Sequence, residues 1–286
     1  MNLCLFVSDL HGSESRYRKL FAAIRDERPS GVFLGGDLLP LGLGGRDDPA
    51  GPDVGFLQGF LVPELQRIRR DMGEQYPRVF VILGNDDRRA EEEKVLMANG
   101  EVWTYAHERK APFGEFEVYG YSYVPPTPFQ LKDWERYDVS RSVDPGCVSP
   151  EEGRRSTPVD EAEARYGTIE KDLDALAGEG SLERAIFLFH TPPYRSLLDR
   201  AALDGHVVDA VPVDVHVGSI AVARFIERRK PRVTLHGHIH EAPRLTGTWR
   251  TRIGATHAFS AAHDGPELAL VRFDPEEPEK ATRELL

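Results

Sequence analysis

Five short clusters of metal-liganding side chains punctuate the chain: Asp9 with His11, Asp37, Asn85 with Asp86, His190, and His238 with His240. Carboxylate, imidazole and amide oxygen together suit Mn²⁺, Fe²⁺/Fe³⁺ or Zn²⁺, and the absence of a thiolate beside any cluster argues against soft-metal and iron–sulfur sites. Each cluster directly follows an apolar, strand-like run, at residues 3–7, 32–34, 79–83, 185–189 and 232–235. In α/β folds, functional residues gather at the carboxyl ends of strands, so ligands far apart in sequence meet there in space. Randomly placed His and Asp would not keep this phase. The pattern predicts a binuclear metal site.

Taken in order, Asp9-Leu10-His11, Gly36-Asp37, Gly84-Asn85-Asp86-Asp87, His190 and Gly237-His238-Ile239-His240 resemble the motif set of calcineurin-like metallophosphoesterases (D-x-H, G-D, G-N-H-D/E, H, G-H-x-H), over residues 9 to 240. A lone D-x-H is common and usually marks a turn or a cap, whereas the ordered set after strands is specific. The resemblance implies that Asp9, His11 and His240 bind one ion, that Asn85, His190 and His238 bind the other, and that Asp37 bridges them. It also implies a four-layer αββα sandwich. Two divalent ions, two carboxylates and a bridging hydroxide leave about one positive charge, which attracts a phosphoryl group. The expected reaction is phosphoester hydrolysis by metal-activated hydroxide, and no Ser-His or Cys-His arrangement outranks it.

The chain departs from the family at Asp86, where many relatives place a His thought to contact the phosphate and protonate the leaving group. Asp87 matches the family's acidic position and is expected to orient its neighbours. Asp86 is itself a candidate catalytic residue: a neutral Asp86 would donate a proton but needs its pKa raised by burial or like charge, whereas an Asp86 that faces away would leave another group or water as the acid. An ionised Asp86 would repel a dianionic monoester more than a monoanionic diester, since the second phosphate pKa is about 6. The expected enzyme is a phosphodiesterase for a small phosphorylated substrate, with Asn85 helping to bind it. A phosphomonoesterase or protein phosphatase on the same site is the alternative; a noncatalytic module would be expected to have lost ligands. His216, in Val215-His216-Val217-Gly218-Ser219, is a second candidate. There an imidazole and the backbone amides at the start of a helix would meet a phosphate oxygen. His107, His206, His257 and His263 read as surface or structural, and alternation leaves open whether His236 faces the site.

Charge narrows the substrate. With 47 Asp plus Glu against 36 Lys plus Arg, the formal net charge is −11, which repels the phosphate backbone of duplex nucleic acid. No apolar run reaches the ~20 residues of a membrane span, and residues 1–7 read as a strand rather than a signal peptide. Cys4 and Cys147 cannot build a disulfide framework, so a cytoplasmic location is expected.

A single α/β domain over 1–286 must position these residues. Tyr17, Leu20, Phe21 and Ile24 keep helical spacing up to Pro29, as do Leu57, Leu61, Leu65, Ile68 and Met72, where Pro63 should kink or divide the element. Residues 88–97 read as helical, with Asn99-Gly100 as a stop. Strands are expected at 101–105 and 116–124, with a turn at 112–115. Helices are expected through Ile169, Leu173 and Leu176, and through Val217, Ile220, Ala221, Phe225 and Ile226; further strands at 248–253 and 267–273. Residues 39–53, including Gly42-Leu43-Gly44-Gly45, read as a surface loop. Residues 125–158 read as a cap that sets substrate preference, and 274–286 as a solvated tail.

Overall fold

The computed structural model describes residues 2–41 and 55–286, and the Gly42-Leu43-Gly44-Gly45 loop lies outside them. β1 (Cys4–Val7), α1 (Glu14–Glu27) and β2 (Gly31–Gly35) come first. They are followed by α2 (Val62–Met72), β3 (Arg78–Ile82), α3 (Glu92–Met97) and β4 (Thr104–Tyr105). β5 (Arg109–Phe113) and β6 (Phe116–Tyr121) precede α4 (Glu161–Tyr166), α5 (Ile169–Ala177) and β7 (Ala185–Phe189). A small hairpin of β8 (Val207–Val208) and β9 (Val211–Pro212) leads to α6 (Ile220–Arg229), β10 (Val233–His236) and α7 (Ala242–Thr246). β11 (Arg250–Ile253), β12 (Thr256–Ser260), β13 (Ala269–Phe273) and β14 (Thr282–Leu285) close the chain.

The strands build two six-stranded mixed sheets, ordered β14-β13-β1-β2-β3-β4 and β11-β12-β10-β7-β6-β5. Side-chain alternation decides what each face buries. In β1, Cys4 and Phe6 point between the sheets with Phe33, Phe80, Ile186, Leu188, Leu235 and Phe259, while Leu5 and Val7 face outward against Tyr17, Leu20, Ile24 and Leu65. On the second sheet, Phe187 and Phe189 pack outward against Leu173, Val222 and Phe225 of α5 and α6. Helices thus cover both outer faces, which is the expected αββα sandwich. Strands buried on both faces are near-continuous apolar runs, and each large apolar side chain they bury contributes roughly 1.5–3 kcal/mol.

The helix expected up to Pro29 is α1: its apolar face is buried, Ser13 Oγ accepts the Arg16 amide, and Arg28 takes a left-handed conformation at its end (φ 48°). Pro63 divides its element as expected, with a π-helical turn at Leu57–Leu61 before α2.

Other expectations fail for physical reasons. The turn read at 112–115 begins later, because Pro112 lies within β5; β5 is an edge strand, where a missing N–H is tolerated. The tail read at 274–286 is not solvated throughout: β14 pairs antiparallel with β13 and covers that sheet edge. Its Arg and Glu content suits an edge strand as well as a tail. The last predicted helix starts three residues late, at Ile220. The stretch 125–158 forms no regular element, yet Trp134 and Tyr137 are buried and Lys132 and Glu135 form a fully buried ion pair at 2.5 Å. Among the described residues, no helix is long and apolar enough to cross a membrane.

Candidate metal centre

The carboxyl ends of β1, β2 and β3 in one sheet and of β7 and β10 in the other converge on one crevice. Asp9, His11, Asp37 and His240 place a ligand atom each within 4.8 Å of one another, and Asp37, His190 and His238 do the same. Asp37 belongs to both groups. Asn85 joins the second, its Oδ1 lying 3.1 Å from His190 Nε2.

The backbone is bent to achieve this. Asp9, His11, Asp37 and His238 all have positive φ, at 57°, 44°, 52° and 72°, a conformation that disfavours side chains and persists only where surroundings enforce it. The enforcement is visible: the amides of Asp9 and His11 donate to the carbonyls of Gly36 and Asp37 at 3.0 and 2.8 Å, and the His238 amide donates to Asp9 Oδ1 at 3.0 Å. Two glycines are sterically required. A Cβ at Gly237 would lie 2.8 Å from Asp9 Oδ2, and one at Gly84 would lie 2.6 Å from His190 Nε2.

The electrostatics couple the two sheets. Burial opposes charge on His190, but Asp37 Oδ2 at 3.2 Å outweighs it and raises the imidazole to about 10. Burial would raise Asp37, and the charged His190 lowers it instead. The same exchange links His240, lifted against burial to about 9 by its contact with Asp9 Oδ1 at 3.3 Å, to Asp9, held below the usual carboxylate range. Burial, then the charge on His190, depresses His238 to about 3; burial also lowers His11.

These residues fit a pair of metal ions. His190 Nδ1 meets the Gly35 carbonyl at 2.8 Å; donation there leaves the Nε2 lone pair facing Asp37 and Asn85. His11 Nε2 and His240 Nε2 face one another at 3.3 Å, and His11 Nδ1 is buried without a hydrogen-bond partner. Convergent, desolvated donors of this kind are stabilised by a cation.

Asp86 sits at the edge of this cluster. Its amide donates to Asp37 Oδ1 at 2.8 Å, its Oδ1 accepts from Asn85 Nδ2 at 3.0 Å, and its Oδ2 lies 3.8 Å from His11 Nδ1. Its side chain is 33% exposed, so it opens onto the crevice. Burial, then the charge on Asp37, raises it to about 6. Asp87 points inward and accepts the amides of Gly84, Leu38 and Leu39 at 2.8–3.1 Å.

His216 does not occupy the place read from sequence. The helix begins after it, and the α6 amides of Ile220 and Ala221 are taken by Asp138 at 2.6 and 3.2 Å. His216 Nδ1 pairs instead with buried Asp199 at 3.0 Å. His236 is fully buried and bound to the Thr191 carbonyl and Thr234 Oγ1, so it takes no place among the clustered donors. Sequence reasoning missed Ser8, whose hydroxyl donates to Asp9 Oδ2 at 2.5 Å, and Arg16, whose Nη1 donates to the Asp9 carbonyl at 2.8 Å. Adjacency to the first motif was the signal available for Ser8; Arg16, on the first turn of α1, carried none.

Comparison with known proteins agrees with this geometry. Residues 4–242 match the family model of the calcineurin-like phosphoesterases. A crystal structure 18% identical to the chain covers 99% of it and 98% of its own length at a TM-score of 0.60. That of the Thermus thermophilus protein TT1561, also 18% identical, covers 99% and 98% at 0.54. At such identity these two likenesses concern the fold alone. No curated protein matches significantly. The family match spans most of the sequence and every motif from Asp9 to His240, and the chain therefore belongs to the calcineurin-like phosphoesterases, metal-dependent hydrolases of phosphoric esters that use a dinuclear site.

Proposed function

We propose that the protein is a phosphodiesterase for a small phosphorylated substrate, in which Asp9, His11 and His240 hold one ion, Asn85, His190 and His238 hold the other, and Asp37 bridges them. The donor set suits Mn, Fe or Zn. When bound, the ions supply a water of lowered pKa as nucleophile and positive charge for the phosphoryl oxygens. The chain's own groups do the positioning. Ser8 and the His238 amide fix the Asp9 carboxylate, and Asn85 spends its Nδ2 on Asp86, so its Oδ1 is the atom that faces the cluster.

The observation that carries the diester preference is the place of Asp86, at the edge of the cluster and open to the crevice. At about 6 it is mostly ionised at neutral pH, and bound cations would lower it further. A carboxylate there penalises the second negative charge of a monoester. It also supplies little proton to a leaving group, so aryl diesters should react readily and alkyl esters poorly. The net charge of −11 favours a small substrate over a nucleic acid duplex, and the unpaired Cys4 and Cys147 fit a reducing compartment such as the cytoplasm.

Metal analysis of the purified protein, with matched mono- and diesters assayed with and without Mn²⁺, tests this reading. Two ions per chain and a diester preference are expected. A preference for monoesters would sink the diester proposal, and one ion per chain at saturation would sink the binuclear assignment.

A further inference from the structure

The loop carrying Asn85 and Asp86 is held from two sides. On the crevice side, Asp37 accepts the Asp86 amide and Asp87 accepts that of Gly84. On the far side the hold comes from the stretch 125–158. Asp133, 1% exposed, accepts the Arg89 amide at 2.9 Å and the Ser156 amide at 2.8 Å, and Ser156 Oγ accepts the Ala90 amide at 2.9 Å while donating to Asp133. Above them, the Arg89 guanidinium lies 5.1 Å from the Trp134 ring and donates to Tyr123 Oη at 2.8 Å. A carboxylate is costly to bury unless N–H and O–H donors surround it. Ser156 supplies two of the donors to Asp133 and the Arg89 amide the third, and that amide and the Ala90 amide bound by Ser156 belong to the turn that follows Asp86 and Asp87.

The same stretch also holds the start of a helix by the same chemistry. Asp138 accepts the amides of Ile220 and Ala221 and the hydroxyl of Ser219 at the start of α6. The difference is that α6 carries none of the clustered residues, whereas the turn bound by Asp133 continues directly from the Asn85-Asp86 loop.

We propose that Asp133 and Ser156 are positioning residues for phosphoester hydrolysis. By fixing the Arg89 and Ala90 amides, they set where Asn85 and Asp86 lie against His190 and Asp37. The inference rests on the site reading above. Its physical weight comes from tolerance: the Asn85–His190 and Asp86–Asp37 contacts are 3.1 and 2.8 Å long, and misplacement of a reacting group by about 1 Å can cost on the order of 10²-fold in rate.

The test compares Asp133→Asn and Ser156→Ala with the matched control Asp138→Asn. The readouts are residue-resolved amide exchange in metal-free protein, metal content per chain, Tm, and kcat and KM on bis(p-nitrophenyl) phosphate with Mn²⁺. Asp133→Asn and Ser156→Ala should speed exchange at the Asp86 amide about tenfold or more and lower kcat by roughly 10- to 100-fold, with KM changed less than about twofold. Asp138→Asn should lose comparable Tm with Asp86 exchange and kcat unchanged. Unchanged exchange at Asp86, an equal kcat loss in the control, or a shift in KM alone would overturn the proposal; the last would mean that 125–158 only shapes substrate access. Should Asp133→Asn fail to fold, Ser156→Ala, which loses one hydroxyl, decides the matter. If the wild type hydrolyses no phosphoester, the site reading falls by itself, and the exchange measurement still tests the positioning.

Discussion

The two sheets bring chemically different halves to the crevice. The first supplies Asp9, Asp37 and the Asn85-Asp86-Asp87 loop, with His11 as its one imidazole; the second supplies His190, His238 and His240 and no carboxylate. Separately, one half would be an excess of buried negative charge and the other a group of desolvated rings, and neither is stable alone. Together they exchange protons, which is why Asp37 is lowered while His190 is raised. The clustered donors therefore meet at the interface between the sheets, while the apolar layer beneath it, with Phe33 stacked on Phe80 at 5.2 Å, supplies rigidity.

Removing the residue shared by both donor groups should break this arrangement most severely. Asp37→Ala is expected to lower kcat/KM on the order of 10³-fold and to leave fewer than two ions per chain, because the remaining ions repel across the lost carboxylate. Asp9→Ala, which touches one group only, should lose about tenfold less. An Asp37→Ala protein that keeps two ions would refute the bridging role.

Proton exchange between the halves gives the next largest effect. In metal-free protein His190 and His240, at about 10 and about 9, are protonated at neutral pH. Both must be neutral to bind an ion, so loading at neutral pH should release about two protons from these rings, and binding should tighten as pH rises toward about 9 to 10 and level off above that. Calorimetry in buffers of different ionisation enthalpy measures this directly. No release, or weaker binding at higher pH, would contradict the pairing of carboxylates with imidazoles.

Asp86→His restores an imidazole to the carboxylate-rich half and should change rates more gently. Dependence on the leaving group's pKa should flatten, and monoesterase activity should rise about tenfold relative to diesterase activity. Unchanged ratios would mean that Asp86 does not face the scissile phosphate. The smallest effect is expected outside both halves: His216→Ala should leave kcat nearly unaltered and cost about 1–3 kcal/mol of stability, by depriving buried Asp199 of a partner. Chemical denaturation and an activity assay suffice, and a large kcat loss would return His216 to the site.

Much of this was legible in the sequence, because the motifs are short, local and locked to strand ends. An apolar run fixes a strand, and the residue after it must emerge at the sheet's edge, so the positions of Asp9, Asp37, Asn85, His190, His238 and His240 followed from periodicity and family resemblance together. The αββα layering came from the resemblance; periodicity alone reached only α/β. Tertiary structure decided what depends on partners far away in the chain. His216 has no local signal for Asp199, and the α6 amides look available until Asp138 is seen to occupy them. Residues 282–285 read as a tail until β13 supplies an edge to pair with. The stretch 125–158 reads only as an irregular cap because its order comes from buried charges and aromatic packing rather than from a repeating pattern. Local propensity and period are written residue by residue, whereas pairing of polar groups across hundreds of positions exists only once the apolar layers have closed.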